Sequence, residues 1–392
     1  MRNSLPAVFL LGPPHSGKSV LAFGLSQALR QRKVLHYLLR AAPDGEGDWF
    51  AEGPLGVVRT LRFKHRYTPS FVERVARHLR GRMVPLLVDP GGRPTPKQLE
   101  LIFAQATHAI LLLPQGADRS PWEELLDTYA IPLLADLTSA LEGKDEVRET
   151  APVLRGQITG LVRGAQARGP VFEALVERLE TLFREAGEGL HAWHLTQAPK
   201  EHHVVDLDTL VDTFHPEDRR WRPRDLPILA QETPSGVPLA LYGRAPNWLY
   251  GWGAQQAWPA AVALFDVRYG WLAAPSLRPG KNNLVTAMEG HRGEWHHVAF
   301  RLQESLLAYQ ESLRFPLPAA SEERVILEGK LPFWLLMALV RHYRAQGKAV
   351  AVYQPPLSAA VVVTSSSDTD LSLGDTLSVP SLLANLGENE PV

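Results

Sequence analysis

A run of eight residues near the start of the chain has the residue types and the spacing needed to hold phosphate groups. It reads Gly-Pro-Pro-His-Ser-Gly-Lys-Ser, a complete Gly-x-x-x-x-Gly-Lys-Ser/Thr pattern that ends at Ser19. In such a loop, backbone N–H groups surround phosphate oxygens, Lys18 places a positive charge beside the outer phosphates, and the Ser19 hydroxyl can ligate Mg²⁺. The nucleotide-binding residues predicted in this loop are Gly12, Pro13, His15, Ser16, Gly17, Lys18 and Ser19.

An acidic residue further along the chain is the second candidate for the same site. The apolar segment Val84–Asp89 ends in this acid, and a Pro-Gly-Gly sequence that ends at Gly92 follows it. We expect the Asp89 carboxylate to reach the coordination shell of Mg²⁺ and Gly92 to approach the terminal phosphate. The predicted cofactors are therefore ATP and Mg²⁺, with Ser19 and Asp89 as metal ligands.

These residues need a strand, a loop and a helix in that order to meet at one place. The apolar run Ala7–Leu11 predicts a buried strand before the loop, and a helical stripe that begins at Val20 follows it. Further apolar strands alternate with helices, so the pattern predicts a doubly wound α/β nucleotide-binding domain over residues 1–195. The other predicted strands are Val34–Leu39, Ala109–Leu113 and Pro132–Ala135, and the predicted helices lie near Phe71–Leu79, Pro96–Ala104, Pro121–Tyr129 and Val171–Phe183.

A loop with three acids and a tryptophan, Arg40–Trp49, leaves the second predicted strand. Ligands of doubly wound sheets bind beyond the carboxyl ends of the strands, so this loop could hold a phosphate acceptor or a base. A solvated acidic loop is the alternative interpretation.

An internal repeat marks the second half of the chain. The pattern Gly-(Arg/Lys)-x-Pro-x-Trp-Leu occurs at Gly243–Leu249 and again at Gly329–Leu335, each time after a β-type run and before a helix-like stretch. The repeat predicts two tandem small α/β domains, at 200–290 (segment one) and 291–385 (segment two). Joined covalently, they would form a pseudo-dimer suited to a ligand with two-fold or four-fold symmetry, whereas a duplicated scaffold without a ligand is the alternative.

Composition excludes several classes of protein. The 392 residues carry a net charge of −1 and contain no cysteine, so disulfides and zinc–thiolate sites are excluded and no global field attracts long nucleic acid. The apolar run at Leu5–Leu11 is too short to span a membrane. We therefore expect a cytoplasmic protein with neither a membrane nor a long nucleic acid as partner.

The repeat and its surroundings resemble a small CRISPR-associated family, the Csx-three ring nucleases, whose members degrade the cyclic tetra-adenylate made by type III CRISPR complexes. The N-terminal region resembles the P-loop ATPase module fused to some of these proteins, on the stretches Gly12–Ser19, Ala42–Gly47 and Asp89–Gly92. The resemblance covers most of the chain and is more specific for segment one than for segment two. It implies cyclic tetra-adenylate as the partner and a homo-oligomer.

The resemblance also implies catalytic residues. The family site contains a histidine, an Asp-x-Arg pair and a metal ion, usually manganese. Asp266 and Arg268 match the pair in segment one, with Asp266 as the implied manganese ligand, whereas Tyr353–Pro356 at the same place in segment two lacks both. The best-placed histidine is His342 of segment two, which predicts one composite site shared by the segments, unless His342 is only structural.

Other residues of the repeat could hold the ring by charge and stacking. The tryptophans could equally belong to the core. The predicted ligand-binding residues are Gly243, Arg244, Asn247, Trp248, Lys330 and Trp334.

Three functions follow from these patterns. The first is a ring nuclease that binds and cleaves cyclic tetra-adenylate and carries an ATPase. The second is a ring-gated ATPase sensor whose degenerate segments bind the ring without cutting it. The third is a small-molecule kinase in which Arg40–Trp49 forms the acceptor site.

Overall fold

The chain folds into a mixed α/β structure with several sheets that contain parallel strands. The computed structural model describes residues 5–42, 68–91, 96–162, 164–303, 307–320, 322–364 and 371–383. They divide into two units. The first comprises the described residues up to 193 together with 267–269, and the second comprises the described residues 194–266 and 270–383.

A seven-stranded sheet with the order β2-β3-β1-β4-β5-β7-β6 forms the centre of the first unit. Every neighbouring pair is parallel except β6 and β7, which are antiparallel. All five residues of β1 are buried, as expected for a central strand of a parallel sheet. The strands are β1 Ala7–Leu11, β2 Tyr37–Arg40, β3 Leu86–Asp89, β4 His108–Pro114, β5 Leu133–Ala140, β6 Glu146–Glu149 and β7 Leu154–Thr159.

Helices follow the strands of this sheet. The side chains of Leu21, Leu25 and Leu29 recur at every fourth position of α1 and are buried in the core of this unit. The helices are α1 Lys18–Gln31, α2 Pro69–Arg80, α3 Pro96–Phe103, α4 Ser120–Thr128 and α5 Pro170–Gly187, and the short α6 Leu190–Thr196 comes next in the chain.

The antiparallel hairpin of β6 and β7 was not expected from the sequence. Three of the four residues of β6 are exposed, and β7 alternates buried Leu154, Gly156 and Ile158 with exposed or partly buried residues. A polar edge strand has no apolar run to mark it, which is why apolar patterning alone overlooks it.

The second unit contains two larger sheets and a two-stranded one. Their orders are β11-β10-β9-β8, β13-β14-β16-β17-β18-β19 and β12-β15. The strands are β8 His203–Asp206, β9 Leu239–Tyr242, β10 Val262–Asp266, β11 Gly270–Ala273, β12 Arg278–Pro279, β13 Val285–Arg292, β14 Trp295–Leu302, β15 Arg314–Phe315, β16 Arg324–Gly329, β17 Ala349–Gln354, β18 Ala359–Thr364 and β19 Thr376–Ser378. The helices are α7 Leu207–Phe214, α8 Leu226–Glu232, α9 Asn247–Gln256 and α10 Phe333–Arg344.

The same strand arrangement occurs in both larger sheets. Three parallel strands are followed by an antiparallel one, β8, β9, β10 and β11 in the first sheet and β14, β16, β17 and β18 in the second. The helices α9 and α10 occupy the same place in this order, between the second and third parallel strands. The larger sheet has two further edge strands, β13 and β19, and the predicted boundary between residues 290 and 291 falls inside β13.

One hydrophobic core joins the two segments. It includes side chains from both sheets and from α9 and α10, among them Trp248 and Trp334, which are 1% and 0% exposed. A Cβ added to Gly251 of α9 would lie only 3.1 Å from a methyl carbon of Val352 on β17, so α9 of segment one packs closely on the sheet of segment two. The two segments therefore fold around a shared core rather than around two separate ones.

Among the described helices, none combines the length and the apolar character that a transmembrane span requires.

The burial of the two tryptophans predicts a large effect on stability. Trp248→Ala or Trp334→Ala should each lower the free energy of unfolding by about 3–5 kcal/mol, because each change leaves a cavity in the shared core. Urea denaturation followed by circular dichroism measures this loss. The control Leu357→Ala, at a side chain that is 46% exposed, should change stability by less than about 0.5 kcal/mol. Tryptophan variants as stable as the control would contradict the shared core.

Candidate functional site

The loop from Gly12 to Ser19 connects β1 to α1 at the carboxyl edge of the first sheet. Two of its glycines have left-handed backbone angles, with φ of 143° at Gly12 and 90° at Gly17. A Cβ on Gly12 would lie 2.1 Å from the carbonyl oxygen of Leu112 on β4, so only glycine fits there. The positive φ at both positions, and the close approach of β4 at Gly12, therefore explain why glycines stand there.

Lys18 is the buried cation of this loop. Its side chain is 6% exposed, and its Nζ donates hydrogen bonds to the carbonyl oxygens of Gly12 at 2.7 Å and Pro13 at 2.5 Å. Burial lowers the pKa of Lys18 to about 8, an effect that the negative charge of Asp89 partly offsets. The ammonium group thus lies inside the curve of the loop, where the charge of a bound phosphate would favour its protonated form.

Asp89, the last residue of β3, contacts both Ser19 and the backbone that follows β3. The Ser19 hydroxyl donates to Asp89 Oδ2 at 2.7 Å, and the backbone N–H of Gly91 donates to Oδ1 at 3.2 Å. The side chain of Asp89 is only 5% exposed. The structure therefore brings together two predicted site residues, Ser19 and Asp89, that are far apart in the sequence.

Arg40 was predicted only as the first residue of the acceptor loop, and sequence reasoning missed its contact with Asp89. It ends β2 directly opposite Asp89 on β3, and its Nη1 lies 2.6 Å from Asp89 Oδ2. The sequence contained one signal for it, since the last residues of neighbouring parallel strands lie side by side at the same edge of a sheet. The sequence does not show that β2 pairs with β3, so this signal could not be used.

The oxygen atoms at this site suit a magnesium ion. Ser19 and Asp89 provide a hydroxyl and a carboxylate, the hard ligands that Mg²⁺ prefers, and in nucleotide sites phosphates and water complete its shell. Gly92 and residues 43–49 of the predicted acceptor loop lie outside the described residues.

The repeated motif of the second unit can now be explained residue by residue. Its glycine has a positive φ: Gly243, directly after β9, has a φ of 102°, and Gly329, the last residue of β16, has a φ of 151°. Its proline, Pro246 or Pro332, is the N-cap residue of the next helix. The tryptophan and the leucine then fall in the first turn of the helix and are buried in the shared core.

That burial changes the role predicted for Trp248 and Trp334. Indole rings that are 1% and 0% exposed cannot stack on a base from the surface, so the ligand-binding role gives way to a structural one. The basic residue of the motif remains accessible, since Arg244 is exposed and Lys330 is half-buried at the ends of β9 and β16.

The carboxyl edge of the first sheet of this unit gathers several charged residues. Asp206 ends β8 and caps α7, and Asp266 ends β10 with a side chain that is mostly buried. Between them, the Asp208 carboxylate accepts a hydrogen bond from the backbone N–H of Arg244 at 3.0 Å.

Tyr250 of α9 lies beneath this edge. Its hydroxyl donates to the carbonyl oxygen of Gly243 at 2.6 Å. Burial raises the pKa of Tyr250, and the negative charges of Asp208 and Asp266 raise it further. The phenol therefore stays protonated and acts as a hydrogen-bond donor.

The two segments contact each other at these edges. The Asn247 amide, at the start of α9, donates to the carbonyl oxygen of Tyr353 near the end of β17, at 2.9 Å. Phe333, at the start of α10, stacks on Tyr250 with ring centroids 4.2 Å apart. The first turn of each helix thus contacts the other segment close to the carboxyl end of a parallel strand.

His342 lies away from this edge. It is in the last turn of α10, about 13 Å along the helix axis from Phe333, and its Nε2 lies 2.9 Å from the amide nitrogen of Gln346. The neighbouring Arg341 donates to the carbonyl oxygen of Ala260 at 2.8 Å, just before the start of β10. Burial lowers the pKa of His342.

The composite site predicted from Asp266 and His342 stays a prediction, and their places in the fold bear on it as follows. Asp266 ends β10, about 13 Å along the strand from its first residue, Val262, whereas the Arg341 contact at Ala260 lies just before that first residue. Helix α10 runs away from the carboxyl edge, which carries His342 with it. Arg268 lies in the turn after β10, in the part of the chain grouped with the first unit, with its guanidinium 5.4 Å from the ring centre of Tyr269.

The manganese site has no support among the described residues. They contain no group of three or more histidine, aspartate or glutamate side chains that could hold a metal ion. The role of Asp266 as a manganese ligand stays a prediction.

The fold and the two edges define a mixed α/β protein in which both candidate sites lie at the carboxyl ends of parallel strands. The family model described as CRISPR-associated protein (Cas_csx3) matches residues 301–378, which include β16, α10, β17 and β18. The match indicates a CRISPR-associated domain over these residues, and it lies in segment two although the resemblance had been expected to be more specific in segment one. No curated protein matches the chain.

The lowered pKa of Lys18 predicts how phosphate binding depends on pH. Below about pH 8, Lys18 is protonated in the free protein, and the affinity for ATP without metal should be constant. Above pH 8 binding must first restore the proton, so the affinity should fall by about fivefold between pH 8 and pH 9 and by about tenfold for each further pH unit. Calorimetry in two buffers of different ionisation enthalpy measures the affinity and the proton uptake together. An affinity that stays level up to pH 10 would contradict a phosphate contact by Lys18.

Proposed function

We propose that this protein binds a cyclic oligoadenylate, with cyclic tetra-adenylate as the first candidate, in the second unit, and that the first unit binds and hydrolyses ATP with Mg²⁺. The proposal rests on the contact between the two segments near their similar carboxyl edges, through Asn247 and Phe333. The match to a CRISPR-associated family supports it.

The arrangement of the two segments supports a ring-shaped ligand. Each segment presents a parallel-strand edge followed by a basic residue, Arg244 or Lys330, and a helix N-terminus. Repeated cations and helix N-termini suit a ligand with phosphates at regular intervals. In this proposal the segments act as a pseudo-dimer, and the ring lies across the axis that relates them.

The first unit supports nucleotide binding through the loop and its acid. Lys18 donates to the loop carbonyl oxygens, Ser19 contacts Asp89, and both loop glycines have positive φ angles. Glycine-rich loops of this kind present backbone N–H groups to phosphates. A bound Mg²⁺ would neutralise phosphate charge, and Ser19 and Asp89 are the residues that would hold it.

The separation of Asp266 from His342 favours a sensor over a ring nuclease. A general acid or base must lie within hydrogen-bond reach of the reacting atoms. Asp266 ends β10, whereas His342 lies in the last turn of α10 beside Arg341, whose side chain contacts Ala260 just before β10 begins. The sensor function therefore requires only that ring binding in the second unit changes ATP turnover in the first.

The nucleotide proposal predicts a loss of activity without a loss of fold. Lys18→Ala should abolish ATP hydrolysis, because it removes the cation beside the outer phosphates, while the circular dichroism spectrum stays that of the wild type. The control Lys144→Ala changes an exposed lysine of the same unit and should retain full activity. Normal hydrolysis by the Lys18 variant would refute this part of the proposal.

The ring proposal predicts binding that depends on salt and on two particular cations. Arg244→Ala and Lys330→Ala should each weaken the binding of cyclic tetra-adenylate and reduce the slope of log K against log[salt] by about 1. The control Lys281→Ala, at an exposed residue of the same unit, should bind as the wild type does. Calorimetry at three salt concentrations gives the slope.

Chromatography of the ring after incubation then separates the two functions. Intact ring in the presence of Mg²⁺ or Mn²⁺, with ATP turnover altered, supports the sensor. Linear products that disappear in Asp266→Asn would support the nuclease. The absence of any heat or thermal shift would contradict ring binding altogether.

A further inference from the structure

Asp89 Oδ2 accepts from two donors at once. The Ser19 hydroxyl lies 2.7 Å from it and the Arg40 guanidinium 2.6 Å from it. The second guanidinium nitrogen of Arg40 lies 3.4 Å from the carbonyl oxygen of Ser19, so the arginine spans both residues that would hold a metal ion. Side chains of Arg40 and Asp89 are 13% and 5% exposed, so solvent screens this contact only weakly.

The position of this guanidinium conflicts with a cation on the same oxygen. A metal ion held by Ser19 and Asp89 would lie beside Oδ2, within a few ångströms of the arginine nitrogen. Two positive charges at that distance in a poorly solvated site repel each other strongly. Since an arginine is always protonated, it cannot relieve the repulsion by losing its proton.

We propose that Arg40 is a positioning residue that competes with the divalent cation for Asp89 and so makes metal binding depend on nucleotide. Without nucleotide, the guanidinium neutralises Asp89 and excludes the metal ion. Phosphates offer the guanidinium another anion, which frees Oδ2 for Mg²⁺. The second half of this scheme rests on the proposed nucleotide site, whereas the exclusion of metal from the free protein does not.

Strand pairing gives the competition its geometry. Arg40 ends β2 and Asp89 ends β3 in direct register, and the backbone N–H of Ala41 bonds to the carbonyl oxygen of Asp89 at 2.8 Å. This bond fixes the base of the arginine side chain, so that only its side-chain angles have to change when Oδ2 is released.

The test measures metal binding to the protein without nucleotide, with Mn²⁺ followed by electron paramagnetic resonance and Mg²⁺ by calorimetry. Arg40→Ala and Arg40→Gln should bind either ion about tenfold or more tightly than the wild type, the order expected when a like charge within 4–6 Å is removed. Arg40→Lys keeps the charge and should bind as weakly as the wild type. Circular dichroism identifies variants that are folded.

A double variant identifies the oxygen concerned. The gained metal affinity should disappear in Arg40→Gln combined with Asp89→Asn. Unchanged affinity in both Arg40→Ala and Arg40→Gln, or a gain that survives the loss of Asp89, would overturn the proposal. A purely structural role of Arg40 would lower thermal stability and leave metal affinity unchanged, which also overturns it.

A separate measurement keeps this result distinct from that on the nucleotide function. ATP binding by the wild type without metal tests the nucleotide site alone. If ATP does not bind but the Arg40 variants gain metal affinity at Asp89, the nucleotide function fails and the exclusion of metal stands. If ATP binds and the variants gain nothing, the reverse holds.

Discussion

In both units, the pairing of parallel strands places the polar residues of the candidate site at the carboxyl edge of a sheet. Parallel strands that are buried on both faces leave chemistry-bearing side chains little space except beyond their ends. In the first unit this edge holds Arg40, Asp89 and the loop that begins at Gly12. In the second unit it holds Arg244, which follows β9, and Asp266, which ends the neighbouring parallel strand β10. Each candidate site therefore depends on which strands lie side by side.

Two cations share one carboxylate at the first edge. A cation and an anion buried apart would each lose their hydration, whereas Lys18, Asp89 and Arg40 share one partly closed site with the Ser19 hydroxyl. Asp89 is the common member, because it contacts Ser19 and Arg40 directly and its charge acts on Lys18. A ligand that brings negative charge would change all of these interactions together.

The shared core of the second unit explains why the two segments have the same motif although the residues at their edges differ. Helices α9 and α10 each pack among side chains of both segments, so the tryptophans and leucines of the motif are needed whatever the edge residues do. The edges are under no such constraint. Segment one ends its third parallel strand with Asp266, and segment two ends its own with Gln354. Core residues of the repeat are therefore kept in both segments, while the polar sets differ.

The sequence by itself determined the features that depend on neighbouring residues. Mixed α/β patterning was correctly predicted, and the glycines of the loop and of the repeat occupy backbone conformations that only glycine adopts easily. These features are local, because periodicity and turn geometry act over a few residues. The apolar run of β1 also predicted its burial.

Only the tertiary structure decided which distant residues meet. Arg40 joins Asp89 because β2 pairs with β3 in one register, and a pattern within either strand cannot specify that pairing. In the same way, the packing of α9 against β17 decided that Trp248 is buried, and the direction of α10 carried His342 away from Asp266. The physical reason is that contacts between distant segments arise from packing of whole elements, whereas the sequence pattern reports only which face of each element is apolar.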